Sequence, residues 1–417
     1  MLTAARLGVA ALSAALLAGA AAAPALADSP APAASTAPVP EGLYGKGDPQ
    51  YDGVWRQSLA LTALANAKVT PADTAVAWLT GQQCEDGGWP SYRAAGAPCQ
   101  AKTEDSNATA VAVQALLALG GHQPAVDKGV QWLKDNQNAD GSWSYNPGSP
   151  GDANSTGLAV NALFAAKADP AGVAKNGKNA FDGLGAFQLG CAAPADQRGA
   201  FAYQPDPAGG PLAPNALATG QAALAAAGGH LPVATGARTE AAPKPLACTG
   251  AAGAPVAHAE SGEAAAAYLT AQLTAGGNHL TLTTPGAAPA PDNNATAWAA
   301  LSLIQSGHPQ QAAGAVDWLA EEGGTWTKNG TDAAATATLL LVDQAAQRDT
   351  GALTAQLTAL GPAPQAGTAT ESPAAAATAE PKKNDGIGQY WLIIVGLLIG
   401  VGGGLLLSLQ RKRGQRL

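Results

Sequence analysis

Three short stretches share one polar spelling: Asp105-Ser-Asn107-Ala-Thr109, Asp152-Ala-Asn154-Ser-Thr156 and Asp292-Asn-Asn294-Ala-Thr296. A fourth keeps Asn215 in register with the asparagines but lacks the acid and the threonine, and Asp332 with Thr336 marks a blurred fifth. Side chains of this kind can do three things. An Asp or Asn ahead of a helix accepts hydrogen bonds from unpaired backbone N–H groups and caps it. Several such groups on one rim can hold a polar ligand, helped by the partial positive charge of helix N-termini. Two carboxylates roughly 5–9.5 Å apart can cleave a glycosidic bond, although no feature selects two acids from Asp105, Asp152, Asp292 and Asp332. The Asn-x-Thr triplets also spell glycosylation acceptors, a by-product of the capping pattern. His122, His230 and His308 fall in turns between helices, where a solvated histidine is expected.

Each polar stretch opens a run with Ala and Leu at helical spacing, such as AVAVQALLALG from Ala110. Six runs of this kind can be traced, from Gly53 to Leu341. Their small side chains allow close packing, and apolar residues nearly encircle them, as befits helices buried on several sides. A second kind of helix follows each one and mixes Lys, Gln and Asp with its apolar positions, so it belongs to an outer layer. Two copies align residue by residue: Gln83, Asp86 and Trp89 with Gln137, Asp140 and Trp143. Later copies decay through Phe201 and Tyr203 to a shortened one ending in Trp326. Glycines before each Trp allow an unusual turn. The Trp can then fold back on its helix pair, while the Gln amide bonds loop backbone. Trp89, Tyr92, Trp143, Tyr145, Phe201, Tyr203 and Trp326 are read as packing residues of the repeat, with a platform for a sugar or other ring as the alternative. Six inner and six outer helices closed in a ring leave no repeat with an open apolar flank, so the fold expected is all-α, an (α/α)6 toroid of six helical hairpins.

Gln83…Asp86-Gly-Gly-Trp89 and Gln137…Asp140-Gly-Ser-Trp143 resemble the QW-type motif of the prenyltransferase/squalene oxidase repeat. The resemblance covers residues 53–360 and implies the toroid shared by terpenoid cyclases, protein prenyltransferase β-subunits, thioester domains and cobalamin carriers. Fold alone does not imply an activity. The Asp-x-Cys zinc pair of the prenyltransferases, the Asp-x-Asp-Asp acid of the cyclases and the Gly-Cys-Gly-Glu-Gln thioester run are all missing. No metal or cofactor is therefore expected. The resemblance leaves a binding role, on the model of the cobalamin carriers, with rim candidates Asp105, Asn107, Asp152, Asn154, Asn215, Asp292 and Asn294. The alternative is a toroid enzyme acting on an isoprenoid or a glycan.

The ends suggest export and tethering. An apolar run from Leu7 precedes Ala25-Leu-Ala27, as in a signal peptide over 1–27. Residues 390–409 are uncharged and followed by Arg411, Lys412 and Arg413, which predicts a transmembrane helix with a basic cytoplasmic tail over 410–417. Between them the reading places an Ala/Pro-rich linker over 28–48, the toroid over 49–361 and an Ala/Pro/Thr-rich stalk over 362–389. The expected setting is the cell membrane, crossed once, with the toroid outside. Expected partners are that membrane and a small-molecule ligand, together with a membrane transporter or another surface partner. A formal net charge of −8 offers no footprint for nucleic acid. Four cysteines in an exported chain suggest two disulfides. Of three possible pairings, Cys84–Cys99 with Cys191–Cys248 is favoured because each bridge would staple a loop between repeats.

Overall fold

The structure is a computed structural model that describes residues 39–100, 103–234, 239, 241–249, 253–282 and 288–365. The helices are α1 (Pro49–Asn66), α2 (Asp73–Gly81), α3 (Ser106–Leu119), α4 (Gln123–Asp135) and α5 (Ala153–Ala165). A small ribbon, β1 (Ala174–Lys175) and β2 (Lys178–Asn179), leads to α6 (Ala180–Gly185), α7 (Ala216–Ala226) and α8 (His258–Ala275). A second ribbon, β3 (Leu280–Leu282) and β4 (Ala290–Asp292), precedes α9 (Asn293–Gln305), α10 (Pro309–Trp326), α11 (Ala333–Ala345) and α12 (Gly351–Thr358).

Odd-numbered helices form the inner layer. Every residue of α3 from Ala108 to Leu116 is buried, as is every residue of α5 from Ser155 to Leu163. Outer helices bury one stripe only: Val126, Gly129, Val130, Trp132 and Leu133 in α4. Successive inner helices pack side by side from α1 to α11, and α11 packs back on α1. Each outer helix packs on the inner helix before it. This circuit of helical hairpins is consistent with an α/α toroid.

The repeat works through a small set of fasteners. Trp89 is fully buried, and its indole N–H donates to the Leu79 carbonyl of its own outer helix (2.9 Å). Its backbone N–H donates to Thr109 Oγ1 of the next inner helix (2.9 Å). Trp143 repeats both bonds with Leu133 and Thr156. Phe201 and Leu280 stand in the same place, their N–H groups donating to Thr219 and Thr296. The Gln83 amide donates to Gly87 and Ala125 carbonyls, and Gln137 to Gly141 and Val173. Gly87 and Gly141 turn at φ +106° and +88°, and a Cβ at either would collide with the neighbouring backbone. Asp86 and Asp140 hold these turns by accepting from the N–H groups of Gly88 and Ser142. Both favoured disulfides, Cys84–Cys99 and Cys191–Cys248, are formed.

Several expectations need correction. Trp326 is not a loop residue: α10 runs on through Gly323 and Gly324 to end at it. Thr327 takes the carbonyl role of Trp89, accepting from Asp332 N as Trp89 accepts from Asp105 N. Asn215 matches the acids of the other stretches, not their asparagines, for it caps α7 and Thr219 follows four residues later. His308 is buried, not solvated, and bonds to Glu263 (2.9 Å) and to the Ala241 carbonyl (3.1 Å). The expected membrane tether is also corrected. Among the described residues no helix is long and apolar enough to cross a membrane. The signal segment over 1–27 and the run over 390–409 both lie outside the described residues.

Candidate functional site

Because every inner helix starts at the same end of the circuit, its capping residues gather there. They surround a cavity of about 890 Å³. All seven rim candidates line it: Asp105 and Asn107 from the start of α3, Asp152 and Asn154 from α5, Asn215 from α7, Asp292 and Asn294 from α9.

The acids are engaged in holding the helices. Asp105 Oδ1 accepts from the N–H groups of Asn107 (2.7 Å) and Ala108 (3.1 Å), and its Oδ2 accepts from Ser91 Oγ (3.0 Å). Asp152 takes the backbone N–H of Ser155 on one oxygen (2.7 Å) and its hydroxyl on the other (2.8 Å). Asn215 and Asp292 cap with single bonds to Ala218 N (2.9 Å) and Ala295 N (2.8 Å). Asp52, also on the wall, is paired with Arg56. Burial raises the carboxyl pKa values of Asp105 and Asp152 above the ordinary range, against the pull of these donors.

The amides two residues after each acid point to different work. Asn107 Oδ1 is buried with no hydrogen-bond partner. Asn154 Nδ2 donates to Gln221 Oε1 of α7 (2.7 Å), tying neighbouring helices across the wall. A buried amide oxygen left unpaired costs about 1–3 kcal/mol.

The lining also contains residues that the sequence pattern assigned to packing. Tyr145 and Tyr203 each stand two positions after a repeat aromatic, and each carbonyl accepts from the first residue of an earlier inner helix, Ser106 and Ala153. That hook turns the rings into the mouth, 43% and 47% exposed, while Trp143 and Phe201 are fully buried. Tyr145 Oη lies 2.9 Å from Ser91 Oγ, which in turn donates to Asp105. Burial, with the nearby Asp105 charge, pushes the Tyr145 phenol up to about 12. Tyr203 is raised by burial and by Asp152. Trp55, Tyr268 and Gln221 also line the wall. An aromatic-x-Tyr spelling, as in Trp143-Ser-Tyr145 and Phe201-Ala-Tyr203, is the signal that would have found the two tyrosines.

Asp105 and Asp152 each have both oxygens engaged by backbone or hydroxyl donors, whereas Asp292 accepts a single capping bond. Elsewhere, Cys84, Cys99 and Glu104 approach one another closely, but the two sulfurs are joined to each other and offer no thiolate.

Residues 42–160 match the family of the squalene-hopene cyclase C-terminal domain. The chain is 38% identical over 101 residues to a squalene–hopene cyclase of Zymomonas mobilis, a match covering 22% of this chain and 15% of that protein. Among solved structures, the crystal structure of a protein from Actinoplanes aligns at a TM-score of 0.44 and 15% identity, covering 74% of this chain and 95% of that one. None of these matches favours the cobalamin-carrier branch. The sequence matches, with the repeat and its fasteners, support a place for the chain in the prenyltransferase/squalene oxidase-repeat, terpenoid cyclase-like superfamily.

Proposed function

We propose that the protein is a non-catalytic binding module that holds a small polar molecule in the mouth of its helical circuit and works outside the cytoplasm. The convergence of rim groups from α3, α5, α7 and α9 on one cavity carries this reading. Its volume falls within the usual range of small-molecule sites, roughly 300–1,000 Å³. A general acid or base needs a lone pair or proton free toward substrate, and Asp105 and Asp152 have both oxygens engaged within the fold. Two disulfides suit an oxidising compartment.

The test is a thermal-shift screen of the full chain against neutral oligosaccharides, polyamines and isoprenoids, followed by product analysis of every hit. A ligand present at 100 times its Kd stabilises the fold by about 2.7 kcal/mol, a readily seen shift. The expected result is a stabilising compound recovered unchanged; turnover of the hit overturns the reading. The squalene–hopene cyclase similarity favours a second reading, an enzyme acting on an isoprenoid. Cyclised hydrocarbon formed from squalene by the purified chain would establish it.

A further inference from the structure

The chemistry of the wall narrows what the mouth would accept. Among the described residues, no lysine or arginine lines the cavity. An anionic ligand, such as a phosphate or diphosphate ester, would find His279 as the one basic side chain of the wall among the described residues and would sit beside Asp52, Asp105, Asp152 and Asp292. Of those acids, Asp52 is neutralised by Arg56 and the oxygens of Asp105 and Asp152 already accept from protein donors, which leaves Asp292, with one capping bond, as the least engaged carboxylate.

What remains available is bifunctional. Asn294, Gln272 and the phenols of Tyr51 and Tyr203 each offer both donor and acceptor capacity to the cavity. A hydrocarbon ligand supplies no hydrogen-bond partner and would leave these amides and phenols dry. Hydroxyl groups serve such a wall, because each can donate to one partner and accept from another. The exposed faces of Tyr145 and Tyr203 add apolar platforms of the size of a sugar ring. Trp55 also lines the cavity, packed on the buried Trp298 with ring centres 6.4 Å apart.

We infer that the mouth is a binding site for a neutral glycan, with Tyr145 and Tyr203 as ring platforms and Asn294 and Gln272 as hydroxyl-reading amides. This rests on the binding reading above and specifies its ligand class.

Isothermal titration of the full chain tests it with four probes: maltohexaose, cellohexaose, spermidine and geranylgeranyl diphosphate. The expected outcome is binding of at least one neutral hexasaccharide and of neither charged probe. Tyr145→Ala and Tyr203→Ala should each weaken that binding by about tenfold or more, and Gln272→Leu by a similar factor. Unchanged melting temperatures for the two tyrosine variants, whose rings are half exposed, would show that the fold is intact. Binding of spermidine or geranylgeranyl diphosphate without either sugar overturns the glycan assignment while leaving a binding module. Failure of all four probes to bind counts against both. Sugar cleavage would keep the ligand class and overturn the non-catalytic reading.

Discussion

Asp105 carries two opposed effects in one side chain. It caps α3 through two backbone N–H groups, which favours the charged form, yet it is buried, which favours the protonated one. Burial is the larger influence and raises its pKa. The folded state therefore holds the proton more tightly than the unfolded chain does. Stability is greatest below the ordinary carboxylate range, near pH 4, and declines as pH rises through the raised folded value. Asparagine caps a helix as well as aspartate and has no charge to desolvate. Asp105→Asn should thus match the native protein in urea denaturation at pH 3 and equal or exceed it at pH 7. A loss of more than about 1 kcal/mol at pH 7 would show instead that the charge is needed at the helix N-terminus.

At the scale of elements, the first three hairpins are each strapped to the next by a glutamine, and the third strap is the best satisfied. Gln188 Nε2 donates to the Gly199 and Ser261 carbonyls, and its Oε1 accepts from Ser261 Oγ (2.6 Å). Gln188→Ala should cost about 2–3 kcal/mol in urea denaturation, because a buried hydroxyl and two carbonyls lose partners together. A cost below about 0.5 kcal/mol would mean that water replaces the strap. The sequence hid this copy for a definite reason. Six positions separate Gln83 from Trp89 and Gln137 from Trp143, whereas an inserted loop places Phe201 thirteen after Gln188. The Gly-Trp turns were legible because few residues can replace a positive-φ glycine or fill a Trp-sized space. The Asn215 register was lost because an Asn caps as readily as an Asp, leaving only Thr219 to fix the alignment. The tyrosines of the mouth were misread for a different reason. Whether an aromatic ring packs or projects depends on the carbonyl hook beside it, which is a tertiary bond that no local spacing announces.

For the molecule as a whole, the joint between first and last hairpins decides whether the repeats form a closed circuit or an open stack with two exposed flanks. Asn66 Nδ2 donates to Gln344 Oε1 (2.7 Å), and Gln344 Nε2 donates back to the Ala63 carbonyl (2.9 Å). The stretch ahead of α1 completes the seam. Tyr44 is fully buried in the place that Trp89 holds elsewhere, and its N–H donates to Gln57 Oε1 (2.8 Å). Gln57 Nε2 donates to the Gly42 and Ala75 carbonyls, so this one residue does the work of both Thr109 and Gln83. Gly45 N donates to the Leu360 carbonyl (2.9 Å), and a Cβ at Gly361 would strike the Tyr44 ring. Residues from both ends of the described body thus build a single repeat unit. Tyr44→Ala removes its aromatic filling and should cost about 3–5 kcal/mol, the usual range for a large buried ring. Tyr51→Ala, at a ring that is 78% exposed, should stay within about 0.5 kcal/mol of the native protein. Hydrogen exchange separates loss of closure from general loosening. In Tyr44→Ala the amides of α1, α2 and α12 should lose protection well before those of α5, which lies across the circuit from the seam. Uniform loss of protection in all inner helices would mean that the ring unfolds as one unit and that the seam is no weaker than any other joint.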